Sequence, residues 1–120
     1  MEGRVERLQG ELDAVLRRAA ALKVELDLAE GNVPKTGVPH YNVIEDAAHA
    51  VGQRLSRLTQ QMHAAQLALR EEGMAKCPRC GRRCETETVE RSIVSGDGPV
   101  PLAELRCHCP SCRRDFFPSA

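Results

Sequence analysis

At 120 residues the chain has room for one small domain or two modest units, and an aromatic share of 2% removes the bulky side chains that usually fill a deep core. Formal net charge is zero, from 17 basic and 17 acidic side chains, so the chain as a whole gives no electrostatic argument for a polyanionic partner. The charged opening MEGRVERLQGELDAVLRR has no apolar run of the kind found in a secretory signal, and no later stretch approaches membrane-spanning length, so a cytoplasmic protein without a membrane partner is expected.

The first element follows from periodicity. Val5, Leu8, Leu12, Val15, Ala19, Leu22, Leu26 and Ala29 recur in alternating steps of three and four, the spacing of a helix with one narrow apolar seam, and predict a helix over about 3–30. Leu16, Val24 and Leu28 lie off the seam and widen the apolar surface. The segment GNVPKTGVPHYN, residues 31–42, is rich in Gly, Pro and Asn and ends that helix. The seam resumes at Ile44 and runs through Ala48, Val51, Leu55, Leu58, Met62, Ala65 and Leu69. It predicts a second helix over about 43–72, with Asn42 as N-cap and Glu45 and Asp46 in its first turn. Two helices of similar length read as an antiparallel, coiled-coil-like hairpin occupying residues 1–75, with the seams as its core. Such a hairpin is rich in Ala and thin in burial, so self-association into a homo-oligomer, a dimer in the simplest case, is expected. His49 and His63 lie beside the seam and read as solvated surface residues.

Chemistry is concentrated in residues 76–120. Six cysteines in a reducing compartment point to metal binding rather than a disulfide framework. CPRC at 77–80 and CPSC at 109–112 form two Cys-x-x-Cys pairs separated by 28 residues. Each pair predicts a tight knuckle, and together Cys77, Cys80, Cys109 and Cys112 supply four soft ligands for one structural Zn2+. A closed thiolate shell has no open position at which to activate water, so no catalytic residue is assigned and the chain is not expected to be an enzyme or to take a small-molecule substrate. Between the knuckles, SGDGP flanked by Val89, Ile93, Val100 and Leu102 predicts a β-hairpin turning near Gly96 and Asp97, and DFFP adds a short further strand. Phe116 and Phe117 are expected to cover the metal site or pack on the helices rather than stack on bases. Cys84 and Cys107 are expected to lie nearly opposite one another as buried thiols, and ligand sets that include either one stay open. The resulting fold class is α+β, a helical hairpin followed by a small β zinc ribbon.

Residues 76–120 carry 8 Lys/Arg against 6 Asp/Glu, a slight excess that matters only if it is clustered. Arg79, Arg82 and Arg83 follow the first knuckle and Arg113 and Arg114 the second, so metal binding would gather five guanidiniums at one end of the ribbon, a patch suited to bidentate contact with phosphate. Charge balance for a dianionic metal centre is the competing reading of the same arginines.

The stretch VPHYNVIEDAAHAVGQRLSRLTQ, then CPRCGRRC and RCHCPSCRRDFFP, resembles the N-terminal region of bacterial insertion-sequence transposases of the ISKra type. The matching positions are His40, Tyr41, Ile44 and Glu45, the two knuckles, and Phe116, Phe117 and Pro118, within residues 38–118. The resemblance implies a DNA-recognition or assembly module without the acidic catalytic domain of such transposases, so no strand transfer is expected of it. Cys107 stands where an aromatic is expected in that family. The rival expectation is a protein-interaction adaptor of the kind that approaches transcription or assembly machinery, with the slightly acidic hairpin as its working surface.

Overall fold

The computed structural model describes residues 2–70 and 73–118 and has an α+β architecture, two helices followed by a four-stranded antiparallel sheet. Helix α1 spans Glu2–Glu30 and α2 spans Tyr41–Arg70. The second helix starts earlier than its apolar pattern suggests. The Val43 amide donates to the His40 carbonyl at 3.0 Å, so Asn42 lies inside the first turn instead of capping it, and Glu45 and Asp46 fall beyond that turn. The expected final turn at 71–72 lies outside the described residues. No helix among the described residues is long and apolar enough to cross a membrane.

The chain divides into two compact units, residues 1–52 and 53–120. The second unit therefore takes in the C-terminal half of α2 together with the sheet.

In the first unit the chain reverses through residues 31–40, and the start of α2 runs back along the end of α1. An apolar crevice of ≈ 330 Å³ between them is lined by Val24 and Leu28 on one side and by Ile44, Ala48 and Val51 on the other. Asp27 is 5% exposed at its edge. Its Oδ1 accepts from Lys23 Nζ at 2.5 Å and Asn32 Nδ2 at 3.2 Å, and its carbonyl accepts from the Val33 amide. The hydrogen bond from Lys23 holds the Asp27 carboxyl below its usual range, against the opposing effect of burial. The face of α1 that meets α2 here is thus Ala20, Lys23, Val24, Asp27 and Leu28. This corrects the expectation that the α1 seam forms the hairpin core: Val5, Leu8, Leu12, Val15, Leu22 and Leu26 are all exposed. At about 100° per residue, the seam lies roughly two fifths of a turn round the helix from the face that meets α2.

The second unit holds β1 (Met74–Lys76), β2 (Arg83–Ser95), β3 (Gly98–Cys109) and β4 (Arg114–Phe116), ordered β1-β2-β3-β4. Strands β2 and β3 form a long hairpin with Ser95 opposite Gly98 and Thr86 opposite Cys107, turning at Gly96 and Asp97 as expected. Gly98 has φ 111°, a backbone conformation that calls for glycine, and a Cβ there would lie 3.3 Å from Arg57 Nη1. Helix α2 grips this turn. Ser56 Oγ donates to Asp97 Oδ2 at 2.6 Å, Arg57 Nη1 to the Asp97 carbonyl at 2.9 Å, and Gln60 Nε2 to Ser95 Oγ at 3.3 Å.

Along the hairpin the buried face changes side. Near the turn, Val100 and Leu102 are buried, opposite Ile93 and Arg91. Nearer the knuckles, burial shifts to Leu105, Cys107 and Cys109, whose side chains point the other way because alternate residues face opposite sides of a strand. The register runs unbroken through the change, so the two ends of one ribbon carry apolar patches on opposite faces. The end near the turn is covered by helix, and the far end is organised around thiols.

Candidate metal centre

The two knuckles share a positive φ at the residue after their second cysteine. Cys77-Pro-Arg-Cys80-Gly81 closes with the Gly81 amide donating to the Cys77 carbonyl at 2.9 Å, and Gly81 takes φ 77°. Cys109-Pro-Ser-Cys112-Arg113 puts Arg113 in the matching place with φ 54°, the one non-glycine of positive φ among the described residues. A side chain there works against the steric preference of L-residues, which marks the second knuckle as locally strained.

In each knuckle the sulfur of the leading cysteine faces the amides that follow it. The Cys80 and Arg79 amides hold the Cys77 thiol below its ordinary value. The Cys112 amide, 3.5 Å from Cys109 Sγ, lowers Cys109 to about 6, more than burial raises it. Cys112 moves the other way, up to about 12, because its proton is shared first with Cys80 and because it is desolvated.

The sulfurs of Cys77, Cys80, Cys109 and Cys112 all lie within 4.8 Å of one another. Cys77 and Cys112 are 3.8 Å apart and Cys80 and Cys109 3.5 Å. Four sulfurs at ~2.3 Å from a tetrahedral ion would sit ~3.8 Å from each other, so the spacing fits a four-coordinate metal ion and the four cysteines can hold one. Ala75, Cys84 and Cys107 pack against this set, and Cys112 and Phe116 close its flank.

The two remaining cysteines are not cross-strand partners. Cys84 pairs with Ala75 on β1, while Cys107 lies between Thr86 and Phe116, so the expected 84-to-107 pairing is off by two residues. Both are buried beside the four sulfurs, outside the set that converges. Burial pushes the Cys84 thiol up, and its Sγ donates to the Arg82 carbonyl at 3.4 Å. Phe116 packs on the cysteine cluster as expected of a covering residue, and the Phe117 ring lies 5.2 Å beneath the Arg91 guanidinium.

All five arginines singled out in the sequence are exposed. They divide between two clefts. Arg79 and Arg114 line a small one beside Cys77, Cys112 and Phe116. Arg82 and Arg83 line a larger one of ≈ 460 Å³, together with Arg106 and His108. Arg82 also donates to Ser111 Oγ at 3.0 Å, which ties the two knuckles together. Arg113 lines neither cleft.

Arg106 and His108 are the additions that sequence reasoning missed. Their spacing is the available signal, since 106 and 108 alternate with Cys107 and Cys109 and so face away from the sulfurs. Neither is unopposed. Arg106 is bonded to Glu87, which raises its pKa, and His108 Nδ1 lies 2.8 Å from Asp115 Oδ1.

No family model matches the chain, and neither a curated protein nor a solved structure matches it.

Proposed function

We propose that this chain is a non-catalytic module in which one structural zinc ion holds a ribbon tip that contacts DNA, while the helical part carries self-association. Zinc is favoured by the chemistry of the donors: four thiolates at tetrahedral spacing suit a soft, redox-inert ion and leave no position for water or substrate. A centre of that kind does not lend itself to hydrolysis, which argues for a binding role.

The observation that carries the DNA reading is the crowding of exposed guanidiniums around the two knuckles. Arg79, Arg82, Arg83, Arg113 and Arg114 come from segments some thirty residues apart, and the knuckles bring their backbones together. Fluorescence titration against duplex DNA at several salt concentrations tests it. Each phosphate neutralised contributes about 0.9 to the slope of log affinity against log salt, so replacing Arg82 and Arg83 by Gln should flatten that slope by about 2. Undetectable binding, or binding indifferent to salt, refutes the reading.

A protein-interaction role is the second reading, and the exposed apolar seam of α1 supports it. Reversing the charge of the five arginines separates the two, since it abolishes a DNA-contact function and spares a helix-mediated one.

A further inference from the structure

The seam of α1 is apolar in a strict three-four alternation, yet it is not what α1 turns toward α2. Val5, Leu8, Leu12, Val15, Leu22 and Leu26 keep between 47% and 64% of their surface exposed, while on another side of the helix the first unit buries Asp27 and half-buries Lys23. An exposed apolar stripe on a helix whose partly buried ion pair lies elsewhere is a candidate surface for a partner outside the unit.

The charges flanking the seam say what that is. On one flank stand Arg4, Glu11, Arg18 and Glu25, spaced by seven and alternating in sign. All four are exposed, and none forms an ion pair with another described residue. This flank lies roughly two fifths of a turn from the face that meets α2, clear of the residues that line the contact with it.

Laid antiparallel on a second copy, with the two-fold axis between Asp13 and Ala14, the seam forms continuous layers. Leu12 meets the partner's Val15, Leu8 the partner's Ala19, and Val5 the partner's Leu22. In the same register Glu11 faces the partner's Arg18 and Arg4 faces the partner's Glu25, so every pair along that flank is of opposite charge. A parallel arrangement has no such match. There the flanks would oppose Arg18 to the partner's Lys23 and Glu25 to the partner's Glu30, both like-charged.

From the exposed seam and this charge order we infer that α1 is an antiparallel homodimerisation helix whose partner is α1 of a second copy, in the register centred between residues 13 and 14. The inference rests on the reading that the helical part self-associates and gives that association a face, an orientation and a register. Dimerisation would set two ribbon tips on one assembly, so that a nucleic acid or protein partner is met twice.

Sedimentation equilibrium of the full zinc-loaded chain over a range of concentrations tests it, with far-UV circular dichroism as a check that each variant keeps its helices. The wild-type chain should show a reversible dimer. Arg18→Glu sets two like charges against the partner's Glu11 on both sides of the axis, and should weaken the dimer by ~10-fold, whereas Glu11→Arg with Arg18→Glu should return it to within ~3-fold of wild type. Leu12→Asp should abolish it.

If Arg18→Glu tightens the dimer, the helices are parallel and the register is wrong. A dimer that survives Leu12→Asp leaves self-association standing and overturns the seam as its interface. A chain that is monomeric at every concentration overturns both.

Discussion

Replacing Cys109 by serine should weaken metal binding at the four-cysteine centre, and the size of the loss can be worked out. Cys109 is fully enclosed, its Sγ is 3.5 Å from Cys80 Sγ, and it receives the Cys112 amide that lowers its pKa to about 6. Structural zinc sites contribute ~10–16 kcal/mol over four ligands, so one thiolate carries ~2.5–4 kcal/mol, or roughly 100- to 1,000-fold in affinity. Because the position is closed to solvent, water has no room to replace the lost ligand. Cys84 is the matched control. It is as deeply buried and packs against the same cluster, but its sulfur points to the Arg82 carbonyl. A serine hydroxyl can make the same donation, so Cys84→Ser should cost about 1 kcal/mol in folding and shift zinc affinity by no more than ~3-fold. Competition against a chromophoric chelator measures both variants. Equal losses from Cys84→Ser and Cys109→Ser, or wild-type affinity for Cys109→Ser, would refute the four-ligand assignment.

Val100→Ala removes about two methylene equivalents from a fully enclosed site, ~1.6 kcal/mol of transfer plus a cavity, and should lower the stability of the second unit by ~2 kcal/mol in denaturant titration while leaving zinc stoichiometry unchanged. Gly81→Ala forces a side chain into a φ of 77° and should destabilise the tip by ~1–2 kcal/mol, whereas Arg113→Gly relieves the equivalent strain and should raise the thermal midpoint of the zinc-bound tip. Asp27 has a pKa below its unfolded value, so it contributes stability that is complete above the ordinary carboxylate range and is lost as pH falls through the depressed folded value. Acid unfolding of Asp27→Asn should lack that component, and an unchanged acid limb would show that the Lys23 pair is not what stabilises the turn between the helices.

Much of the fold was legible because its signals are local. The two Cys-x-x-Cys pairs specify knuckles within five residues each, and the two apolar seams set both helices to within two residues at the ends compared. SGDGP placed the hairpin turn at Gly96 and Asp97. What stayed hidden depends on packing over distance. Periodicity locates an apolar stripe but does not say which neighbour covers it, and in α1 the partly buried Lys23–Asp27 pair takes the face toward α2. The change of buried face along β3 follows from helix covering one end and thiols the other, and no simple alternation in residues 98–109 announces it. The same limit separated Cys84 from Cys107: a turn position known to within a residue or two leaves the strand register open, and a slip of one residue reverses every side chain. Strand β1 was too short to show any period at all.

The proposed function depends on a metal ion that binds two distant knuckles into one tip. Elemental analysis of the purified chain, followed by amide NMR during titration with a chelator, tests it most directly. One zinc per chain is predicted, with resonances of residues 77–84 and 107–116 collapsing as the ion is withdrawn while helical signals persist. A chain without stoichiometric zinc, or a tip whose spectrum is unchanged by chelation, would contradict it.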